Sequence, residues 1–478
     1  MVCAWDLPKE SNTMTVSATA RSSAFVRRGA TFFNGLGIYR FCIAVAVIDC
    51  LDFTDSLDYS ESNFLLKYCY AGIVIFLLGT YFLRWKTIDA TNPAPIIFLL
   101  FFIVTGLGFA IRFFLYDERQ SYISAFIAPL AFSAAIFIPR NAIIMDERRI
   151  LKGLTYLFAL GTVCYLLEAI IRPLEFFRQF SYVHEVQFVK SLSCVLALCL
   201  FILTGQKILA LLTAAITAIA LLLRPTSTIA LALILCVPIA VVLRSRVLYF
   251  RPLSVLVARV LAMTTLIVAV TVPILLYFYL DDLGPLVVSW EGYLKDDILG
   301  GQSNSFFRLA ILKVAFESVR DTSFWFGSAL SGSVTVPLGK QEGFQWWFSA
   351  VAQSNGEAPI HSDFVITFVL MGIVGLFTLA AAYYVALKTL FLGLGNPSVR
   401  GHGVVLRALS IVALVALFIY SSAEPYLSYY SHANAVWLLL LISEMLRKTS
   451  TKSTGVQEKS TGGSQARPLF GASASNVI

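Results

Sequence analysis

Three short segments carry the residues whose types and spacing could do chemistry. SNSFFRLAILKVAFESVRD, from Ser303 to Asp321, reads as a helix capped by Ser303, Asn304 or Ser305. On a wheel of about 100° per residue with Arg308 at zero, Ile311, Leu312, Ala315 and Val319 fall within about 60° of it, while Lys313, Glu317 and Arg320 lie about 120–180° away. Arg308 therefore shares the apolar, inward face. It also stands in the first turn, where free N–H groups and the helix dipole favour an anion. A buried cation there wants an anionic partner, either a bound anion or a carboxylate from another segment. In LLLRPTSTIALAL, Arg224 ends one apolar run, and Pro225, Thr226 and Ser227 open the next. It reads either as a second anion-holding guanidinium or as an anchor at the end of a span. In APIHSDFVITFVLMGIVGLF, His361 precedes a helix with Ser362 as N-cap and Asp363 in its first turn. The helix dipole disfavours imidazolium at that place, so a neutral His361 can act as a base or hold a hydroxyl. The bland alternative is a histidine at a membrane boundary.

The elements that must position these residues are apolar throughout. Of 478 residues, 58% are hydrophobic and 13% charged, and the mean hydropathy is +0.79. A soluble domain carries about 25% charged residues, so this chain cannot cover a water-soluble globule. Continuous apolar runs of about 20 residues recur, the length of a spanning helix. They do not alternate as the strands of a membrane barrel would. The expected fold is an all-α polytopic membrane protein with about twelve transmembrane helices. The spans fall near 32–51, 64–83, 95–115, 121–139, 150–171, 188–204, 207–223, 226–243, 255–280, 362–387, 404–423 and 431–446.

Charge then orients the chain. Arg84, Lys86, Arg140, Arg148, Arg149, Lys207, Arg244, Arg246, Arg251, Lys388 and Arg400 share one set of loops with the basic tails. Asp52, Asp55, Asp58, Glu61, Asp117, Glu118 and the long stretch 281–361 share the other. The positive-inside rule makes the first set cytoplasmic and both termini internal. Residues 1–29 read as a cytoplasmic tail, 30–447 as the transmembrane domain and 448–478 as a disordered cytoplasmic tail. The net charge of +8 is explained by topology without nucleic acid. The eight Cys show no metal-ligand spacing and no disulfide framework. The long external loop, between the ninth and tenth spans, carries Trp325, Trp346 and Trp347. These aromatics suit either sugar stacking or the membrane interface. Charges expected inside spans are sparse, namely Arg40, Lys67, Arg112, Glu168 and Glu444.

The segments around Arg224, Arg308 and His361, in this order and with this late external loop, resemble the O-antigen polymerase and O-antigen ligase superfamily. The likeness covers about 190–390. It departs at Arg224, where the family often has Ser-Arg-Ser or Ser-Arg-Gly, and at His361-Ser362, where the family often has His-Asn. The resemblance implies a metal-independent, inverting glycosyltransferase of the bacterial inner membrane with its active site facing the periplasm, requiring no cofactor. It implies His361, Arg308 and Arg224 as catalytic residues, with Arg308, Arg224 and Asp363 binding substrate. The implied partners are an undecaprenyl-pyrophosphate-linked glycan donor, a glycan acceptor, the lipid bilayer, a flippase and a chain-length regulator. Polymerisation of repeat units into O-antigen, capsule or exopolysaccharide is the leading expectation, because His361-Ser362-Asp363-Phe364 looks more like the polymerases. Transfer to lipid A core by a ligase is the alternative. A secondary transporter is a third reading, disfavoured by the lack of similarity between the two halves and by the large external loop.

Overall fold

The computed structural model describes parts of 43–51, 92–103 and 132–136, then 146–171, 188–223, 227–249, 251–278, parts of 314–319, 324–327, 333–335, 357–360, 362–396, 401–423 and parts of 439–447. Seven long helices organise these residues: α1 (Glu147–Ile171), α2 (Phe188–Thr204), α3 (Lys207–Leu223), α4 (Ser227–Tyr249), α5 (Pro252–Phe278), α6 (Asp363–Gly395) and α7 (His402–Ala423). α1, α4, α6 and α7 are each long and apolar enough to cross a membrane. The protein is a membrane-embedded helical bundle. The spans expected at 32–51, 64–83, 95–115, 121–139 and 431–446 lie wholly or largely outside the described residues.

Local chemistry sets the ends of these helices. Asp146 caps α1, its Oδ1 accepting from the Arg149 N–H at 3.1 Å. α2 stops at Gly205, whose φ of +77° is open to glycine at no steric cost. Around it, Gln206 N–H donates to the Phe201 carbonyl and Gly205 N–H to that of Ile202, a Schellman closure, and α3 starts at once. Pro252 opens α5, where its missing N–H costs nothing.

α7 is the centre of the bundle. It packs against α1, α2, α4, α5 and α6, and its apolar window is wholly buried. α1 and α2 approach so closely at Gly161 that a Cβ there would sit 2.4 Å from Ser193 Cβ, the small-residue contact that lets membrane helices pack backbone to backbone. Hydroxyls inside the helices bond their own preceding turn: Thr162 donates to the Phe158 carbonyl, Thr217 to Thr213 and Ser410 to Leu406. The outer helices expose large apolar side chains, with Ile208 82% and Leu222 84% accessible, as a lipid-facing surface does.

One end of the bundle is basic. Gly205 in the α2–α3 turn lies against Arg244 of α4. Arg246 donates to the Leu394 and Asn396 carbonyls, and Arg407 donates to the Gly393 carbonyl at 2.6 Å. The two guanidinium groups thereby satisfy the last carbonyls of α6, at the negative end of its dipole. Asn92, Glu444 and Arg447 extend this end, with Asn92 donating to Glu444 and Arg447 gripping the Glu444 carboxylate with both Nε and Nη2.

The tenth span, read from sequence at 362–387, is not one straight helix. α6 holds 33 residues and breaks at Gly372, which has φ +64° and ψ −161°. The Phe364 ring lies 5.8 Å from the Tyr383 ring. These residues are nineteen apart in sequence, which a straight helix would separate by about 28 Å. The arm 363–371 therefore folds back along the arm 373–395. Residues 314–317 and 319 are helical and pack on the short arm, with Ala315 and Val319 buried against Ile366, Phe368, Val369 and Leu370. Within the loop expected at 281–361 there is also a short antiparallel ribbon, β1 (Ser333–Thr335) with β2 (Glu357–Pro359), in which Ser333 faces Pro359. The sequence reading did not anticipate this pairing.

Candidate functional site

The fold-back brings a row of buried polar side chains beside the middle of the long arm of α6, away from the arginines at its lower end. Ser362 opens the short arm in extended conformation but does not cap it with its side chain. Its hydroxyl donates instead to the Ser421 carbonyl of α7 at 3.3 Å. The Ser421 hydroxyl shares a 3.2 Å hydrogen bond with Tyr383 of the long arm. Next in the chain, Tyr420 shares a 3.1 Å bond with Ser191 of α2. Lys190, its neighbour, donates to Glu168 of α1 at 2.8 Å with both side chains almost wholly buried. Asp363 is buried at the head of the short arm. One turn later the Thr367 hydroxyl is buried without a hydrogen-bond partner among the described residues.

This row ties α1, α2, α6 and α7 together where the short arm begins. Tyr383 lies eleven residues below the break at Gly372, about 16.5 Å along the helix axis. The first turn of the short arm therefore opens below the crest of α6, not on it. A helix start carries unpaired N–H donors and the positive end of a dipole, an environment suited to an anion. The Lys190–Glu168 pair is internally neutral. Removing either member would leave a buried charge uncompensated, at about 3–5 kcal/mol.

Of the residues singled out by sequence, Asp363 falls in this row. Arg224, Arg308 and His361 lie outside the described residues. Their described neighbours in the chain are placed: α3 ends at Leu223, α4 begins at Ser227, and Ile360 and Ser362 are both buried. The apolar face that the wheel assigns jointly to Arg308, Ala315 and Val319 is the buried face at the last two positions. The sequence reading counted Glu168 but missed Lys190 and the tyrosines. Lys190 carried a usable signal, since it is a charge three residues into an apolar run with a carboxylate near the facing end of the preceding helix. Tyr383 and Tyr420 carried none, because an aromatic within a span is unremarkable.

A second polar cluster, at the basic end, encloses a cavity of about 20 Å³ lined by Asn92, Thr389, Arg407, Ser443, Glu444 and Arg447. Its volume holds about one water. Its bonds lock the C-terminal end of α6 to neighbouring segments, so it reads as a structural clamp. The five described cysteines, Cys50, Cys164, Cys194, Cys199 and Cys236, are all buried. No protein-family model matches this chain, and no curated protein matches it.

Proposed function

We propose that this protein is a multi-pass glycosyltransferase of the bacterial inner membrane. It polymerises undecaprenyl-pyrophosphate-linked repeat units at the periplasmic face. The observation that carries the reading is the start of the short arm of α6, a helix N-terminus sunk beside a row of polar side chains, with His361 immediately before it in sequence. A lipid-linked pyrophosphate is an anion that arrives from the bilayer, and backbone N–H groups and guanidinium forks suit its oxygens. In the proposed reaction an acceptor hydroxyl attacks the anomeric carbon of the donor glycan, and the bond from that carbon to the pyrophosphate oxygen breaks. The lipid pyrophosphate leaves with the electron pair, and the acceptor's proton passes to a base at His361-Ser362-Asp363. Arg224 and Arg308 hold the charge that develops on the leaving group. The reading is supported by the order of the three motifs and by the packing of the helical residues 314–317 and 319 directly on the short arm.

A discontinuous helix is also a device of carriers, which place substrate on broken helices. Purified protein in detergent, with no gradient, separates the two readings. A polymerase extends lipid-linked repeat units into a ladder of products, and it does so in EDTA. Absence of any transfer in detergent together with gradient-driven uptake in vesicles would replace the proposal with transport. Transfer to lipid A core in place of ladder growth would make the protein a ligase.

A further inference from the structure

We infer that the turn Phe324–Gly327 is a membrane-interface anchor that seats the crest of α6 in the lipid headgroup layer. This inference is independent of the reaction proposed above. The turn is fixed to the crest by its backbone. The Phe324 carbonyl accepts from the Ile373 N–H at 3.0 Å and the Trp325 carbonyl from the Val374 N–H at 3.4 Å, so the turn caps the long arm of α6. Two glycines allow the approach. A Cβ on Gly372 would lie 2.3 Å from the Trp325 carbonyl carbon, and one on Gly327 would lie 2.5 Å from that of Leu370. The height of the turn is therefore the height of the crest.

The surroundings of the crest are apolar and exposed. Trp325 is 64% and Phe326 72% accessible. Beneath them the long arm presents Val374, Phe377, Tyr384 and Leu392 outward at helical spacing, with Phe377 69% accessible. This stripe is continuous with the lipid-facing surface of the bundle. The arm 373–395 is about 34 Å long, slightly more than a hydrocarbon core of about 30 Å. Its lower end is held by Arg246 and Arg407, which mark one interface, so the crest falls at the other. Aromatic side chains, Trp above all, concentrate at that depth because an apolar ring with a polar edge suits it. Phe324 is also exposed, at 44%. Its ring meets Phe368 of the short arm at 6.0 Å and Trp325 at 5.9 Å, linking the anchor to the buried core of the fold-back.

The test uses the full chain in phosphatidylcholine vesicles whose acyl chains carry bromine either near the headgroup or near the methyl end. The difference in fluorescence between the wild type and Trp325→Phe isolates Trp325 among the seven tryptophans. Its emission should be quenched more by shallow bromine than by deep bromine, and little by aqueous iodide. The double variant Trp325→Phe/Phe326→Trp should restore the shallow-quenched component, since the turn and not one residue sets the depth. A Trp325 component insensitive to both brominated lipids and open to iodide would overturn the inference. So would emission that ignores lipid and shifts only on adding soluble oligosaccharide, which would assign these aromatics to sugar stacking.

Discussion

At the scale of single residues, the chemistry proposed here rests most heavily on Arg308. Ala315 and Val319, which share its face on the wheel, pack into the core formed with the short arm of α6. Glu317, expected on the opposite face, is more exposed than either. If Arg308 stabilises a leaving pyrophosphate, Arg308→Ala should slow transfer by about 10²–10³-fold, as loss of a single oxyanion donor does. Arg308→Lys should recover only part, because ammonium keeps the charge and loses the fork. Ala at Lys313, Glu317 or Arg320 should leave the rate near that of the wild type. Initial rates at matched membrane abundance check this. Equal losses at Lys313 and Arg308 would remove Arg308 from the mechanism. A fall in abundance rescued by mutating a carboxylate would make Arg308 half of an internal ion pair. The Lys190–Glu168 pair shows what such an internal arrangement looks like when both partners are in view, at 2.8 Å and buried on both sides.

At the scale of elements, the glycines of the fold-back separate two effects that usually travel together. Gly372 and Gly401 have nearly the same positive φ, +64° and +65°, but Gly401 has nothing within 4 Å of a would-be Cβ. Gly401→Ala should therefore cost only the left-handed backbone term, about 1–2 kcal/mol. Gly372→Ala should cost clearly more, because its methyl meets the Trp325–Phe326 backbone. Gly327→Ala strikes the same contact from the other side, so the two losses should sum to more than the loss of the double variant. Thermal unfolding in detergent measures all four. Element boundaries were largely legible in the sequence. α2 and α3 start and stop where the apolar runs and the Gly205-Gln206 punctuation place them. The break in α6 was not legible, because an apolar run with glycines at 372 and 375 reads as an ordinary span and glycine is common in spans. The sharper signal was length, since 33 residues exceed the roughly 20 that a crossing needs. The Ser362–Ser421–Tyr383 contacts depend on that break, so they were hidden with it.

At the scale of the whole molecule, the described helices gather Arg244, Arg246, Arg407 and Arg447 at one end and hold the buried polar row apart from them, beside the middle of the long arm of α6. We propose that the first end faces the cytoplasm, as the positive-inside rule expects. A cysteine placed at Gln206, which is exposed in the α2–α3 turn, should resist an impermeant thiol reagent in intact spheroplasts and react after permeabilisation. A cysteine at Ser354 should react in both. The reverse pattern would invert the orientation and remove the periplasmic site with it. The sequence made this asymmetry legible because charge, unlike packing, is written directly in residue type. The pairing of Arg246 and Arg407 with the carbonyls of α6 was not, since it depends on which helix ends meet.

The fold-back also fixes an order of events on the ribosome. Nine residues, 363–371, are too few for the insertion machinery to take as a crossing, whereas 373–395 are enough. The long arm must enter the bilayer first, and the short arm then settles against it. Ser362 and Tyr383 both find their partner in Ser421, which is synthesised later. At about 5–20 residues per second, the nascent chain waits some seconds with this row open. This row is thus expected to be among the last parts of the fold to become native, closing after α7 has been made.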